Sequence, residues 1–346
     1  MRDLLVAGGG PAGLVTALLA ARAGLEVAVL EPRATPIDKA CGEGLMPGAV
    51  ALLSELGVEV PGLPFRGIHY ADAARGVDAL FRNGPGLGVR RTALHAGLAD
   101  AVARAGIELV PRAAGAVDQD ADGVTVAGLR ARYLAAADGL HSPIRRQLGL
   151  QRPSRGPARH GLRRHYPVRP WTEFVEVHWT SGAEAYVTPV APDLVGVAIL
   201  TTARGPYTDQ LARFPALAAR LSTANTSGAD ATDAGGVRGA GPLRQRVSSR
   251  VAGRVLLVGD AAGYVDALTG EGLAVAWASA AELVACVAAD RPAEYERRWR
   301  RASRRYRVLT GGLLWARNRP LLARAIVPAA TRLPRTFATV VNELAR

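Results

Sequence analysis

Apolar runs, glycine-rich turns and amphipathic stretches follow one another in a regular order at the start of the chain. The apolar run from Leu4 to Ala7 predicts a buried strand, and the residues after it predict a helix over 12–23 and a second strand over 26–30. A strand, a helix and a strand in this order form the βαβ unit of a parallel sheet. The chain therefore begins with the building block of an α/β fold.

The same patterns predict the elements farther along the chain. Apolar residues at helical or buried-strand spacing predict helices at 49–56, 92–106, 207–221 and from 273 onward, and strands within 65–81 and at 107–110, 124–127, 133–136 and 255–258. Residues 163–200 alternate apolar and polar positions, which predicts antiparallel strands in a second sheet that covers a substrate. Residues 222–241 are small, polar and glycine-rich, which predicts a mobile surface loop.

The turn after the first strand has the glycine spacing GxGxxG, formed by Gly8, Gly10 and Gly13. In this pattern the first glycine permits a tight turn, the second lets the backbone approach a pyrophosphate, and the third lets the helix lie close to the strand. Glu31, at the end of the second strand, can accept hydrogen bonds from a ribose. The alternative is a glycine-rich turn without a ligand, but the complete strand, turn, helix and acid favour a dinucleotide site.

Composition narrows the class of protein. A chain of 346 residues with 49% hydrophobic residues can bury a large core and suggests two domains. Its two cysteines, Cys41 and Cys286, provide neither a disulfide framework nor a four-thiolate metal site. The histidines show no zinc-binding spacing, so we expect no metal. The three glycines and Pro11 argue against reading the first apolar stretch as a signal peptide or membrane helix, and we expect a cytoplasmic protein.

The positive charge is concentrated at the C-terminal end. Between residues 291 and 346 there are fourteen arginines and three glutamates, so this segment carries eleven of the thirteen excess positive charges. An anionic membrane surface, an acidic carrier protein and a solvated helical face all remain open as explanations. Nucleic acid is not expected, because the segment has no recognition motif and few interleaved aromatic residues.

The apolar residues of this segment also leave two readings open. They either cover the cofactor domain or enter a membrane interface, with prolines dividing the segment into short helices. The residues concerned are Leu313, Leu314, Trp315, Leu321, Leu322, Ile326 and Val327, and the prolines are Pro320, Pro328 and Pro334.

Two further stretches suggest the same kind of ligand. Asp138 and Gly139 follow a predicted strand, at the edge of the sheet where cofactors bind in α/β folds. Gly259 and Asp260 follow another strand, and a glycine-rich turn over 269–272 opens a helix. Amides at a helix N-terminus favour developing negative charge, as on a reduced flavin ring. The proline- and glycine-rich loop after the second strand contains Cys-Gly-Glu-Gly at 41–44 and is long enough to line a cofactor.

Together these stretches resemble the glutathione-reductase-like FAD oxidoreductases of the p-hydroxybenzoate hydroxylase and geranylgeranyl reductase superfamily. The resemblance implies an α/β fold with a Rossmann FAD domain, an inserted antiparallel-sheet substrate domain and a helical C-terminal segment. We expect the FAD domain at 1–65, 88–160 and 241–290, the substrate domain at 66–87 and 161–240, and the basic helical segment at 291–346.

The resemblance also implies which residues hold FAD. They are Gly8, Gly10, Pro11, Ala12, Gly13, Glu31, Pro32 and Arg33 around the ADP half, Arg91 near the diphosphate or ribityl chain, Ala114 beside the adenine, Asp138 and Gly139, Gly259 and Asp260 on the ribityl chain, and Thr269, Gly270, Gly272 and Leu273 under the flavin pyrimidine. Without a second GxGxxG, the reductant NADPH or NADH is expected to bind transiently at the flavin.

The activity within the superfamily has two readings. The favoured one is an FAD monooxygenase of secondary metabolism, which hydroxylates a hydrophobic aromatic or polyketide-like molecule through a C4a-hydroperoxide. The other is a reductase of a carbon–carbon double bond, with Cys41 or Glu43 as proton donor. Gly263, Glu271 and the Cys-Gly-Glu-Gly loop resemble the reductase branch, whereas Ala267 departs from it. A single-Rossmann NAD(P) dehydrogenase is the alternative from another class.

Overall fold

The computed structural model describes residues 1–154, 156–224 and 236–345. It is a mixed α/β structure with parallel and antiparallel sheets and helices at its C-terminal end. The strands are β1 Arg2–Ala7, β2 Val27–Leu30, β3 Gly44–Leu45, β4 Leu63–Phe65, β5 Gly67–Ala71, β6 Gly76–Leu80, β7 Gly86–Gly88, β8 Glu108–Val110, β9 Val117–Gln119, β10 Val124–Val126, β11 Leu129–Ala136, β12 Gln151–Arg152, β13 His160–Tyr166, β14 Phe174–Thr180, β15 Ala183–Ala191, β16 Leu194–Thr201, β17 Arg238–Ala240, β18 Arg246–Val247, β19 Val251–Ala252 and β20 Val255–Leu257. The helices are α1 Pro11–Arg22, α2 Pro47–Glu55, α3 Arg91–Arg104, α4 Pro143–Gln147, α5 Tyr207–Leu211, α6 Pro215–Ala224, α7 Gly272–Ala288, α8 Tyr295–Ala302, α9 Arg304–Arg317, α10 Pro320–Arg332 and α11 Pro334–Leu344, with 3-10 turns at Gly259–Ala262 and Pro292–Glu294.

The first sheet is built around a buried parallel core. Its main path runs β19-β20-β11-β1-β2-β8, and β1, β2, β8, β11 and β20 pair in parallel along it. Leu4, Leu5 and Val6 in β1 are fully buried, as expected for a strand covered on both faces. Helices α1 and α7 pack against each other and contribute to the same core. Parallel pairing brings the carboxyl ends of β1, β11 and β20 to one edge of this sheet.

The second sheet has seven strands in the order β17-β13-β16-β15-β14-β5-β6. Most pairs are antiparallel, as predicted, but β14 pairs with β5 in parallel. A small sheet of β3, β7 and β4 joins the two parts of the molecule. Its register brings Gly88 so close to the second sheet that a Cβ there would lie 1.7 Å from the Pro189 carbonyl oxygen.

The C-terminal helices cover two different surfaces. Tyr295 and Trp299 of α8 are buried in the core of the first sheet. Leu314 of α9 and Val327 of α10 are buried against the core of the second sheet instead. The cluster that buries Leu314 and Val327 also contains Met46 and Leu268 from the segments expected to form the FAD domain, so α9 and α10 pack where the two parts of the molecule meet. None of the helices in the described residues combines the length and apolar character needed to cross a bilayer.

Local patterns predicted most elements to within a few residues, with three corrections. The helix expected over 207–221 is divided into α5 and α6, because Pro215 cannot continue a helix but can start one. The loop expected over 222–241 instead contains the end of α6 and the strand β17, while 225–235 lie outside the described residues. Pro328 lies inside α10 and does not end it, whereas Pro320 and Pro334 begin helices.

Candidate functional site: a dinucleotide cradle beside an apolar chamber

The glycine turn after β1 is sterically restricted at two positions and open at a third. A Cβ on Gly8 would lie 2.5 Å from the carbonyl oxygen of Ala137, and one on Gly13 would lie 1.8 Å from the carbonyl oxygen of Gly8. Gly8 also has a φ of +109°, which L side chains rarely adopt. At Gly10, in contrast, the nearest atom is Arg91 Nη2 at 4.0 Å. The turn thus packs tightly on the protein side and leaves space for a ligand where the pattern places the pyrophosphate.

The acid at the end of β2 is held against this turn. Glu31 Oε2 accepts a hydrogen bond from the Gly9 amide at 2.8 Å, and Arg33 donates to both carboxylate oxygens at 2.8 and 2.9 Å. Burial opposes ionisation, but the bonds from Arg33 and Gly9 outweigh it and hold the pKa of Glu31 below its usual value. Glu31 is therefore a fixed anion beside the turn.

Arg91, at the first turn of α3, has an unused donor in the same region. The residue is buried, and its backbone amide donates to Glu43 Oε1 at 2.8 Å. Its Nη1 is buried without a hydrogen-bond partner among the described residues. Buried polar atoms are rarely left unpaired, so this guanidinium is suited to an anionic ligand such as a diphosphate.

Polar groups also follow β11 and β20 at the carboxyl edge of the first sheet. Asp138 Oδ2 accepts from the Ile144 amide at 3.1 Å, whereas Oδ1 is buried without a partner in the described part of the chain. Burial raises the pKa of the Asp138 carboxyl group. Asp260 lies in the 3-10 turn after β20. Helix α7 starts at Gly272, and the free amides of its first turn lie at the same edge of the sheet.

These groups share one cavity of about 330 Å³, within the lower range of small-molecule sites. The residues of the expected FAD site that line it are Gly8, Gly10, Pro11, Ala12, Arg33, Arg91, Asp138, Gly139, Gly259, Asp260, Thr269, Gly270, Gly272 and Leu273. Gly13 and Glu31 lie behind the turn, Pro32 is exposed, and Ala114 packs on the core, so these four do not line the cavity. The unpaired atoms of Arg91 and Asp138, the open space at Gly10 and the start of α7 together suit FAD.

The far end of the cavity is an apolar chamber beneath the second sheet. Its walls include the side chains Phe65, Ile68, Tyr70, Val175, Val177 and Leu268. These residues belong to one buried hydrophobic cluster. The chamber therefore suits a hydrophobic molecule placed next to the cofactor.

A buried polar network forms one side of this chamber. His165 Nε2 lies 2.6 Å from Glu43 Oε2, and Arg163 Nη1 lies 3.0 Å from His165 Nδ1. Because Arg163 can only donate, Nδ1 accepts and the imidazole proton belongs on Nε2, from which it is donated to Glu43. Arg163 Nη2 also donates to Asp38. Arg163 Nε is buried and makes no hydrogen bond among the described residues, although it lies 3.9 Å from Glu43 Oε1.

The Cys-Gly-Glu-Gly loop brings both candidate proton donors to the cavity. Cys41 and Glu43 line it, and the Thr188 hydroxyl anchors the loop by donating to the Gly42 carbonyl oxygen at 2.8 Å. Glu43 has a φ of +60°, unusual for a residue with a side chain. Its carboxylate is already engaged by Arg91 and His165. Burial raises the pKa of the Cys41 thiol, which keeps it protonated at neutral pH.

Sequence reasoning missed the basic half of this network. Arg163 and His165 are two positions apart on β13, so their side chains share one face of the strand. The available signal was the pair of polar residues at alternate positions of a strand in the sheet that was expected to cover the substrate. Their partners Glu43 and Asp38 lie more than a hundred residues earlier, and no local pattern connects them.

Helix α9 supports the loop that ends at α7. The Thr269 and Thr310 hydroxyl oxygens are 2.8 Å apart, and the Tyr306 hydroxyl donates to the Asp266 carbonyl oxygen at 2.8 Å. Within this loop, burial raises the pKa of Glu271 to about 8. The C-terminal helices are therefore part of the structure that shapes the cofactor edge.

This fold and this cradle define a flavin-dependent oxidoreductase. Residues 1–63 and 111–291 match a family model described as an FAD binding domain, and the chain belongs to that family. The glycine turn lies within the matched residues, and the match favours an FAD enzyme over a single-Rossmann NAD(P) dehydrogenase.

Three comparisons show what this chain is similar to. Menaquinone reductase of Mycobacterium tuberculosis is 32% identical over 302 residues, which cover 78% of this chain and 72% of that protein. A 6-methylpretetramide 4-monooxygenase of Streptomyces rimosus is 49% identical over 74 residues, 21% of this chain and 17% of that protein. The structure of an anhydrotetracycline hydroxylase from Streptomyces rimosus aligns with a TM-score of 0.68 at 24% identity, covering 99% of this chain and 76% of that one. The last comparison concerns the fold alone.

Proposed function

We propose that this protein is an FAD-dependent monooxygenase that hydroxylates a hydrophobic, aromatic or polyketide-like small molecule, with NADPH or NADH as the reductant. The observation that carries the proposal is the buried Nε–H of Arg163 in the polar side of a chamber whose other walls are apolar: it makes no hydrogen bond among the described residues, and the nearest carboxylate oxygen, Glu43 Oε1, lies 3.9 Å away. Such a donor suits a substrate with an ionisable oxygen, because an unpaired buried donor costs free energy. A plain hydrocarbon chain offers it no acceptor.

In this proposal the cofactor supplies the oxygen-transfer chemistry when it is bound. The guanidinium of Arg163 binds the substrate oxygen as a phenolate or enolate, which makes the adjacent ring carbon electron-rich. His165 and Asp38 hold that guanidinium in place. The apolar walls of the chamber, which lies beneath the second sheet, exclude water from the reaction.

The similarity to a 6-methylpretetramide 4-monooxygenase supports this choice of substrate class, although it covers only 21% of the chain. The experiment supplies the holoenzyme with NADPH, isotopically labelled dioxygen and a panel of electron-rich phenols and aromatic polyketides. Mass spectrometry of the products then measures the incorporation of oxygen. A product one labelled oxygen atom heavier supports the proposal, and a product two hydrogen atoms heavier contradicts it.

Arg163→Gln tests the proposed role of the guanidinium. Loss of a charge-assisted bond of roughly 1.5–3 kcal/mol should reduce kcat/KM by about ten- to a hundredfold. Arg164→Gln is the matched control, because the neighbouring side chain lies on the other face of β13 and its guanidinium lies 5.4 Å from the Tyr166 ring centroid. Retained flavin absorbance shows that both variants are folded. Equal kcat/KM for the two variants would refute the assignment.

A reductase of carbon–carbon double bonds is the second candidate, and the protonated thiol of Cys41 in the cavity wall favours it. In that reaction a hydride reaches one carbon of the double bond and Cys41 donates a proton to the other. The menaquinone reductase comparison is consistent with this candidate. Cys41→Ser should then lower the turnover measured without dioxygen, whereas a hydroxylation, measured with dioxygen, needs no thiol and would be unaffected.

A further inference from the structure

The outer face of the C-terminal helices carries large apolar side chains that nothing in the described structure covers. We define it by Val308, Trp315, Leu321, Leu322 and Leu333, whose exposed fractions are 63, 55, 81, 38 and 59%. Of the ten large hydrophobic residues exposed in the described part of the chain, these five and Val340 belong to the last three helices and their junctions. Such a concentration is typical of an interaction surface, whereas scattered exposed leucines are not.

Helical geometry shows that this face is separate from the core. Leu321, Ala325 and Ala329 follow one another at intervals of four residues along α10, and all three are exposed. Val327 points to the opposite side and is buried against the second sheet. On α9, Val308 and Trp315 are seven residues apart and therefore share a face. Both helices thus have one apolar side that packs and one apolar side that does not.

Arginines that lack carboxylate partners surround this face. Arg319, Arg324, Arg332 and Arg335 are exposed and form no ion pair within the described residues. The guanidinium of Arg319 lies 3.8 Å from the centroid of the Trp315 ring. On α8, in contrast, arginines are neutralised by neighbouring glutamates, such as Glu294 and Glu296. The uncompensated positive charge is therefore located beside the apolar residues.

We propose that this outer face docks on the surface of an anionic lipid bilayer. A helix with exposed leucines, a tryptophan and flanking arginines is suited to the boundary between acyl chains and phosphate headgroups. An acidic carrier protein would satisfy the arginines equally well. It would not account for the five large exposed apolar side chains of these neighbouring helices, which gain most from contact with hydrocarbon.

Helix α11 connects the two helices that carry the outer face with the cavity, because it packs against both α9 and α10. Its residues Val341 and Leu344 line the cavity, and the neighbouring Val340 is exposed. Docking would therefore place the apolar chamber beside the bilayer, where hydrophobic compounds dissolve. This inference holds for either reaction proposed above, because it concerns access to the chamber and not the chemistry inside it.

The test is co-sedimentation of the purified holoenzyme with vesicles of phosphatidylglycerol and phosphatidylcholine, compared with vesicles of phosphatidylcholine alone. Arg332→Glu changes two units of charge, which at about 1 kcal/mol each should weaken partitioning onto anionic vesicles at least about tenfold. Leu321→Asp should weaken it by a similar factor, because it removes a leucine from the apolar contact. The matched controls are Arg152→Glu and Val237→Asp, at exposed positions away from the C-terminal helices.

Salt-sensitive binding to the anionic vesicles that both test variants weaken and both controls retain would support the proposal. Three results would overturn it: no sedimentation with anionic vesicles, equal binding to neutral vesicles, or unchanged binding by Leu321→Asp and Arg332→Glu. A chain that binds a purified acidic carrier protein but not the vesicles would also overturn it. Retained flavin absorbance in every variant separates loss of docking from loss of folding.

Discussion

The buried carboxylate of Glu184 offers the sharpest test of how the C-terminal helices are attached. It is fully buried and accepts from Arg159 Nη2 at 2.7 Å and from Arg317 Nε at 2.6 Å. Arg159 Nε also lies 3.0 Å from Asp266 Oδ2. One carboxylate on β15 thus links the residue before β13, the end of α9 and the loop that leads to the cofactor edge.

Glu184→Gln should destabilise the protein strongly. The substitution keeps the shape of the side chain but leaves two buried guanidiniums with only Asp266 nearby. Breaking a buried ion pair by removing one partner costs about 3–5 kcal/mol. The remaining amide oxygen still accepts one hydrogen bond, so we expect a loss near 3 kcal/mol in the free energy of unfolding. Arg317→Met should cost less than half as much, because it removes one of the two charges together with its need for a partner.

Urea denaturation followed by circular dichroism measures this loss, and flavin absorbance measures whether the cofactor edge is disturbed at lower urea. Glu173→Gln is the control, because Glu173 pairs with Arg66 at 3.2 Å on the exposed surface. A surface pair of this kind contributes little, so the control should unfold at the wild-type urea concentration. The reasoning would be refuted if Glu184→Gln also unfolded there, or if Arg317→Met were the more damaging substitution.

Two further predictions concern the cofactor edge. Gly13→Ala places a Cβ 1.8 Å from the Gly8 carbonyl oxygen and should abolish FAD retention. The control Gly311→Ala, whose Cβ has no atom within 4 Å, should retain FAD. Equal flavin-to-protein absorbance ratios for the two variants would contradict this prediction. Burial raises the pKa of Glu271 from 4.5 to about 8. Between these pH values the folded state binds more protons than the unfolded state, so the free energy of unfolding should fall as pH rises across this window. Glu271→Gln should flatten that dependence, and identical slopes for wild type and variant in urea denaturation at several pH values would count against a buried, neutral carboxyl group.

The glycine turn was predictable because most of its requirements are local. Gly13 is limited by the carbonyl oxygen of Gly8 within the same turn, whereas the limit on Gly8 comes from Ala137 in the neighbouring part of the sheet. The apolar runs of β11 and β20 likewise predicted strands whose carboxyl ends meet at one edge. Few alternatives exist for a strand, a tight turn and a helix in this order, so the sequence pattern was sufficient.

The buried polar networks were not predictable, because their contacts join distant parts of the chain. His165 and Glu43 are separated by 122 residues, and Arg317 and Glu184 by 133. A lone buried arginine or glutamate gives no sign of its partner in the sequence. The strand β17 was missed for the same reason: Arg238–Ala240 is too polar and glycine-rich to predict a strand and is held by its pairing with β13.

The parallel pairing of β5 with β14 also has a consequence for synthesis of the protein on the ribosome. β5 ends at Ala71, but its partner β14 begins only at Phe174. In the first sheet, β11 likewise cannot pair with β20 until the chain has been made beyond Val255. Each sheet takes strands from both sides of the other, so neither can be completed while the chain is only half made. Contacts of such long range fold slowly and leave unpaired strand edges exposed. The residues of the expected FAD site that line the cavity extend from Gly8 to Leu273, so a cofactor bound there can stabilise the nascent chain only after most of it has emerged.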